Sequence, residues 1–216
     1  MEWTPYKSHL YRTYQKELLE TQRKIQYIQD FDGLYNDAFW EKRGIKPFAY
    51  YGKVITELFE IKSMVDFGCG IGSYLIGALQ GGAERVLGLE KGYEVGKKYF
   101  PAEIAEYIKY GDMGELIDCG KWDCVLSIEV AEHLLPEESS IYMENLINAS
   151  SRLIIMSTSP KQSMYHFNPQ YKDYWINEFE QCGIKYSGMK TLKLINILKS
   201  VKSREYLRNH IMVFEV

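Results

Sequence analysis

Long apolar runs are missing from this chain. No stretch of about 18 apolar residues occurs, the length a membrane-spanning helix needs. The opening, Met1-Glu2-Trp3-Thr4-Pro5-Tyr6-Lys7, lacks the apolar centre of a secretory signal. Cysteine is sparse. Cys69, Cys119, Cys124 and Cys182 show no metal-like pairing, and their scatter fits reduced thiols in a cytoplasmic protein. A strong charge of one sign is absent too. The net charge of -3 excludes a surface built as a whole for nucleic acid, although local basic patches remain open. There is no internal repeat, low-complexity tract or Pro/Gly/Ser linker. The 216 residues therefore read as one domain, 1–216, long enough to bury a sizeable core.

What is present is an ordinary globular mixture, 46% hydrophobic and 25% charged, with 18 tyrosines. Tyrosine in that number serves either as half-buried packing or as the wall of a pocket that stacks and hydrogen-bonds a sugar or base. Residues from about 5 to 60 look helical, with breaks at Asp32-Gly33 and between Gly44 and Pro47. Leu10, Tyr14, Leu18, Ile25 and Ile28 fall near helical spacing there. Beyond this the pattern alternates. Short apolar runs at Ser63–Phe67, Arg85–Leu89, Tyr107–Lys109, Asp123–Ile128 and Arg152–Ser157 predict strands. Helix-length segments at Tyr74–Gln80, Tyr93–Phe100 and Glu137–Ala149 separate most of them. A further helix is expected over Gln170–Cys182, stopped by Gly183, then strands at Ile184–Ser187 and Ile211–Val216 around a helical Leu192–Tyr206. Repeated strand–helix units imply a mostly parallel sheet covered on both faces, whose ligand site lies outside the carboxyl ends of the strands.

The polar motifs fall at those ends. The first strand runs into Asp66, followed by Gly68, Gly70 and Gly72. Glycines let the backbone turn tightly and approach a ligand, and the helix behind them offers free N–H groups. A dinucleotide fingerprint would need a third glycine where Ser73 stands. The second strand ends at Glu90, whose carboxylate could accept both hydroxyl hydrogens of a ribose. The third ends at Asp112-Met113, an acid for an adenine amino group and a side chain to pack on its ring. Each acid alone could be a cap or turn residue. Three at successive strand ends suit a cationic cofactor and would repel a pyrophosphate.

Over roughly Tyr50–Val216 these motifs resemble the class I S-adenosylmethionine (SAM)-dependent methyltransferases. The resemblance implies an α/β, Rossmann-like fold. Its seven-stranded sheet would be mostly parallel with an antiparallel last strand, behind a helical N-terminal extension. It also implies that Asp66, Gly68, Gly70 and Gly72 hold the methionine part. Glu90 would bind ribose and Asp112 with Met113 adenine, with Ile128 at the cofactor's side. In that family N-terminal helices often close over the site. Residues 1–60 are thus expected as a lid and 61–216 as the catalytic core. Phe39-Trp40-Glu41-Lys42-Arg43-Gly44, followed by Tyr50 and Tyr51, is the candidate lid segment, and Arg43 the candidate partner of the cofactor carboxylate or of an acidic substrate; an exposed turn is the alternative.

The fourth strand leads into Glu129-Val130-Ala131-Glu132-His133. Methyl transfer to a hydroxyl requires removal of its proton or a cation that lowers its pKa. On one helical turn, groups at i, i+3 and i+4 face the same side, and two carboxylates with an imidazole suit Mg²⁺ or Mn²⁺. The run resembles two metal-dependent groups, the ubiquinone-biosynthesis O-methyltransferases and the enzymes that methylate the terminal ribose of small RNAs. In the second group a later histidine completes the metal site, and His166 is the candidate. The candidate metal set is Glu129, Glu132, His133 and His166. Without a metal, His166 or His133 serves as general base, and Glu129, His133 and His166 are the candidate catalytic groups. The same motif also occurs without metal, Glu129 then merely lining the cofactor pocket.

His166-Phe167-Asn168-Pro169 before Tyr174-Trp175 resembles methyltransferases of glycan assembly. Tyr165, Tyr174 or Trp175 could stack on a sugar, whereas the i, i+4 pair Trp175 and Phe179 reads equally as helix core. Lys190, Lys193, Lys199, Lys202, Arg204 and Arg208 form a basic run, either steering an anion or simply solvated. The leading expectation is an O-methyltransferase of a sugar, glycan or other small polyol-like acceptor. RNA ribose methylation is the rival within the enzyme class. A non-catalytic SAM-binding subunit is the rival outside it, and such a protein has no chemical need for the Glu129/Glu132/His133 set. Nucleic acid ranks below a small-molecule partner, and no membrane insertion is expected.

Overall fold

The computed structural model describes residues 12–19, 21, 22, 25, 35–42, 44, 48–163, 165–201 and 203–216. Its seven strands are β1 (Ser63–Phe67), β2 (Arg85–Glu90), β3 (Ile108–Tyr110), β4 (Trp122–Ser127), β5 (Ser150–Met156), β6 (Lys185–Tyr186) and β7 (Met212–Glu215). They form one sheet in the order β3-β2-β1-β4-β5-β7-β6. The first five pair in parallel, and β7 runs antiparallel between β5 and β6. This is the mostly parallel sheet expected from the alternating pattern, and it has the Rossmann-like form and antiparallel last strand that the resemblance implies.

Residues 12–19 are helical, and from Tyr35 onward the α-helices among the described residues are α1 (Asp37–Glu41), α2 (Phe48–Phe59), α3 (Ser73–Gln80), α4 (Tyr93–Gly96), α5 (Ser139–Ala149), α6 (Lys172–Gln181), α7 (Gly188–Ser200) and α8 (Glu205–His210). Successive side chains of a strand point to opposite faces, so each central strand feeds two cores. Met64, Cys124, Leu126, Leu153, Ile155 and Val213 join Ile55 of α2 and Leu75 of α3 on one face. Val65, Val125, Ile154 and Phe214 join Tyr142 of α5 and Trp175 and Phe179 of α6 on the other. Buried on both sides, these strands read in the sequence as continuous apolar runs.

Several boundaries differ from those the sequence suggests. The segment expected as one helix over Tyr93–Phe100 is a single α-turn continued by a 3₁₀ turn at Lys97–Tyr99. The expected Leu192–Tyr206 helix is two helices, α7 and α8, broken after Ser200. Trp175 and Phe179 are fully buried, so Trp175 has no face for a sugar and the core reading of that pair holds. Among the basic residues, Lys190 pairs with Glu215 at 2.9 Å, while Lys202 lies outside the described residues. So do Leu10, Ile28 and Arg43. No helix among the described residues is long and apolar enough to cross a membrane.

The helix that begins at the glycine loop is held by an unusually close crossing. A methyl group at Gly77 of α3 would overlap the Ala49 carbonyl of α2, and one at Gly52 would overlap the Tyr74 carbonyl. Backbone cannot yield as a flexible side chain does, and overpacking typically costs 1–3 kcal/mol or more. Gly77→Ala is expected to destabilise the protein by about 3 kcal/mol and lower Tm by roughly 6–12 °C for a chain of this size. A melting curve matching that of the unmodified protein would contradict the crossing.

Candidate active site

β1 pairs with β2 along its whole length, Asp66 opposite Gly88. The chain then leaves the sheet through three glycines at positive φ, Gly68 (79°), Gly70 (56°) and Gly72 (77°). The N–H groups of Gly68 and Cys69 both donate to the Leu89 carbonyl, at 2.8 and 3.1 Å. A Cβ on Gly68 would strike Val130, whereas Gly70 faces open space. Gly72 caps α3 in the left-handed region and sits against Ile104 and Ile108.

A cleft of about 250 Å³ opens outside the strand ends. It is bordered by Asp66, Gly68 and Gly70 from the first loop, Glu90 and Lys91 from β2, Asp112 and Met113 after β3, and Ile128, Glu129 and His133 after β4. Asp66 is 2% exposed. Burial, reinforced by the Glu90 charge, pushes its carboxyl up to about 8. Glu90 accepts the Gly70 N–H at 2.9 Å and the Gly92 N–H at 2.8 Å, which ties the glycine loop to the second strand. Asp112 accepts the Gly114 N–H at 3.0 Å and pairs with Lys91 at 2.7 Å. Lys91, which the sequence did not single out, thus partly neutralises the acid expected beside adenine.

Part of the expected lid borders the same cleft. Tyr35 and Phe39 line it, and Trp40 is buried beside Gly92 and Gly96, where a side chain would collide with the Tyr35 ring and the indole at Gly92 and with the indole at Gly96. Trp40 also donates from Nε1 to the Tyr35 carbonyl at 3.1 Å, and Asp37 pairs with Lys98 at 2.6 Å. The two small glycines after β2 therefore form the seat on which this segment docks.

The chemistry-bearing run after β4 is not one helical turn. Glu129 takes a left-handed backbone, φ 57°, and Ala131–His133 follow as a 3₁₀ turn. Glu132, His133 and His166 offer ligand atoms that all lie within 4.8 Å of one another. Glu129 is not in that group; it stands next to Glu132 on the cleft side. His133 Nδ1 is 2.8 Å from the Tyr165 carbonyl and His166 Nδ1 is 2.6 Å from the Lys161 carbonyl. A carbonyl can only accept, so in each ring Nδ1 carries the proton and Nε2 the lone pair. The two rings meet edge to face, 5.0 Å apart. Glu132 is 1% exposed, and neither of its carboxylate oxygens has a hydrogen-bond partner. Burial, with the Glu129 charge beside it, pushes its carboxyl up to about 9. The loop carrying His166 is tied back by Asn168, whose N–H donates to the Glu132 carbonyl at 3.0 Å and whose amide donates to Ser139 at 2.8 Å. That explains the Asn in His-Phe-Asn without reference to a sugar.

The sequence matches no protein-family model and no curated protein. Solved structures do share its architecture. Magnesium protoporphyrin IX methyltransferase from Synechocystis PCC 6803, with SAM bound, superposes with a TM-score of 0.62 at 19% identity, covering 88% of this chain and 96% of that one. The plantazolicin methyltransferase BpumL, in complex with S-adenosylhomocysteine (SAH), gives 0.61 at 14% identity, covering 94% and 97%. The mitomycin 7-O-methyltransferase MmcR gives 0.55 at 16% identity, covering 78% of this chain and 53% of the other. At such identities the likeness is one of fold, and the fold of this chain is that of these methyltransferases.

Proposed function

We propose that the chain is a SAM-dependent O-methyltransferase acting on a hydroxyl of a sugar or other small polyol-like acceptor, assisted by a divalent cation. The observation that carries this reading is the continuity of two sites. The cleft bordered by Asp66, Glu90 and Asp112 reaches Glu129 and His133, and His133 is also a corner of the Glu132–His133–His166 cluster.

The cofactor fits the residues present. A buried carboxyl at Asp66 seeks a cationic partner such as an ammonium group, Glu90 brings a carboxylate to the cleft as an acceptor for ribose hydroxyls, and Gly70 leaves room for close approach. SAM, when bound, supplies a methyl group made electrophilic by its sulfonium. The chain's part is to hold donor and acceptor in line and to keep water out, with Tyr35, Phe39 and Phe48 as the apolar cover. This supports the lid reading of the N-terminal region and the assignment of 61–216 as catalytic core.

A cation fits the second cluster. Two imidazole lone pairs and an unpartnered buried carboxylate are a ligand set, and a buried charge without a partner is costly. Imidazole in the majority favours Mn²⁺ over Mg²⁺. A bound cation would act as a Lewis acid toward the acceptor hydroxyl. The backbone carbonyls of Tyr165 and Lys161 hold each Nε2 ready to bind it or, in its absence, to accept the hydroxyl proton at His133.

Calorimetry is expected to show SAH binding, and labelled methyl groups are expected in an oligosaccharide pool. Label in RNA instead would move the acceptor to ribose. No SAH binding would remove the whole reading, and binding without transfer to either pool would favour a non-catalytic subunit.

A further inference from the structure

Among the described residues, only Glu60 and Glu129 take positive φ without being glycine. That region disfavours a side chain such as glutamate, so something must hold Glu129 there. Ser157, fully buried just past β5, does so from both ends. Its hydroxyl accepts the Glu129 N–H at 3.0 Å and donates to Glu129 Oε1 at 2.7 Å. Ser157 is itself fixed, because its N–H donates to the Ser127 carbonyl at 3.0 Å and so extends the β4–β5 ladder by one rung. A single hydroxyl thus ties the backbone and the carboxylate of Glu129 to the rigid end of the sheet.

We propose that Ser157 is a positioning residue, its hydroxyl clasping Glu129 in the left-handed backbone that turns its carboxylate into the cleft beside Glu132 and His133. The assignment rests on the proposed function for its purpose, but its geometry is tested separately. The crystal structure of Ser157→Ala should show Glu129 leaving positive φ and its carboxylate leaving the cleft. Ser157→Cys, close in size but with a poor donor, is the second variant should the alanine protein not fold, and the same departure is expected in it. A Glu129 unmoved in the variant that folds overturns the proposal. Mn²⁺ calorimetry gives the functional arm. Glu129 is not a member of the Glu132–His133–His166 group, but its negative charge held beside Glu132 would favour a cation there, so Ser157→Ala should weaken Mn²⁺ binding about tenfold and should add no further loss in a Glu129→Ala background. An equal loss in both backgrounds would mean that Ser157 acts through general stability alone, and overturns it. A wild-type protein that binds no Mn²⁺ would remove the metal reading and leave Ser157 to be judged by the position of Glu129.

Discussion

Asp66→Asn is expected to weaken SAH binding by about 100-fold and, at pH 8, to make the unliganded protein more stable. Both effects come from one buried carboxyl. In the folded chain it ionises only near pH 8, against an ordinary value of 3.8, because burial and Glu90 oppose its charge. Between those values the folded state binds a proton that the unfolded state has released. Unfolding free energy therefore falls as pH rises from about 4 to 8. Asparagine has no proton to lose and escapes that decline. The variant and the parent should melt alike near pH 4 and diverge toward pH 8, by on the order of 5 kcal/mol or roughly 10–20 °C. The lost binding follows from the same charge. A hydrogen bond from a ligand ammonium to a carboxylate is worth about 1.5–3 kcal/mol, which is a factor of roughly 10–100. Calorimetry with SAH and melts at two pH values read both arms. Undiminished SAH affinity would remove Asp66 from the cofactor site. Parallel melting at both pH values would refute the account of a carboxylate kept at the expense of stability.

The contrast between that site and the second cluster shows what the sequence made legible. Asp66, Glu90 and Asp112 were readable because each follows a strand whose apolar run is plain, and a parallel sheet brings successive strand ends to one edge. Met113 and Ile128 followed from the same register. Gly72 differs from Gly70 in a way the sequence does not show, because a side chain there would meet Ile104 and Ile108 whereas one at Gly70 would meet open space. The run from Glu129 to His133 was read as one helical turn because spacings of three and four are ambiguous over five residues. The left-handed Glu129 breaks that turn, and its carboxylate stands beside Glu132 without joining the Glu132–His133–His166 group. Nothing local announces that break, since its cause, Ser157, lies 28 residues away. The histidine tautomers were hidden for the same reason, their carbonyl partners being 32 and 5 residues distant on a loop without regular structure. Lys91 adjoins Glu90 in the chain, yet its pairing with Asp112 depends on the β2–β3 register.

Glu132→Gln carries the other large effect, the loss of cation dependence. Glu132 holds the one carboxylate of the Glu132–His133–His166 group, and it is sealed from water without a hydrogen-bond partner. Left as an anion it would be costly, and a cation drawn between it and two imidazole lone pairs would relieve that cost. Mn²⁺ at 100 times its Kd should therefore stabilise the parent by about 2.7 kcal/mol, raising Tm by roughly 5–10 °C. In Glu132→Gln the shift should vanish, because an amide oxygen brings no charge to the site. Transfer of labelled methyl by the parent should stop in EDTA and return with Mn²⁺, while SAH affinity stays within about twofold, Glu132 lying behind the residues that border the cofactor cleft. The two halves of the reading then separate. Turnover that continues in EDTA, with no shift of Tm by Mn²⁺ or Mg²⁺, would dismiss the cation and leave the His133 Nε2 as proton acceptor, still aimed by the Tyr165 carbonyl. In that event His133→Ala should lower the rate by about 10²–10⁴-fold, the usual contribution of a general base, and Glu132→Gln should leave it nearly unchanged.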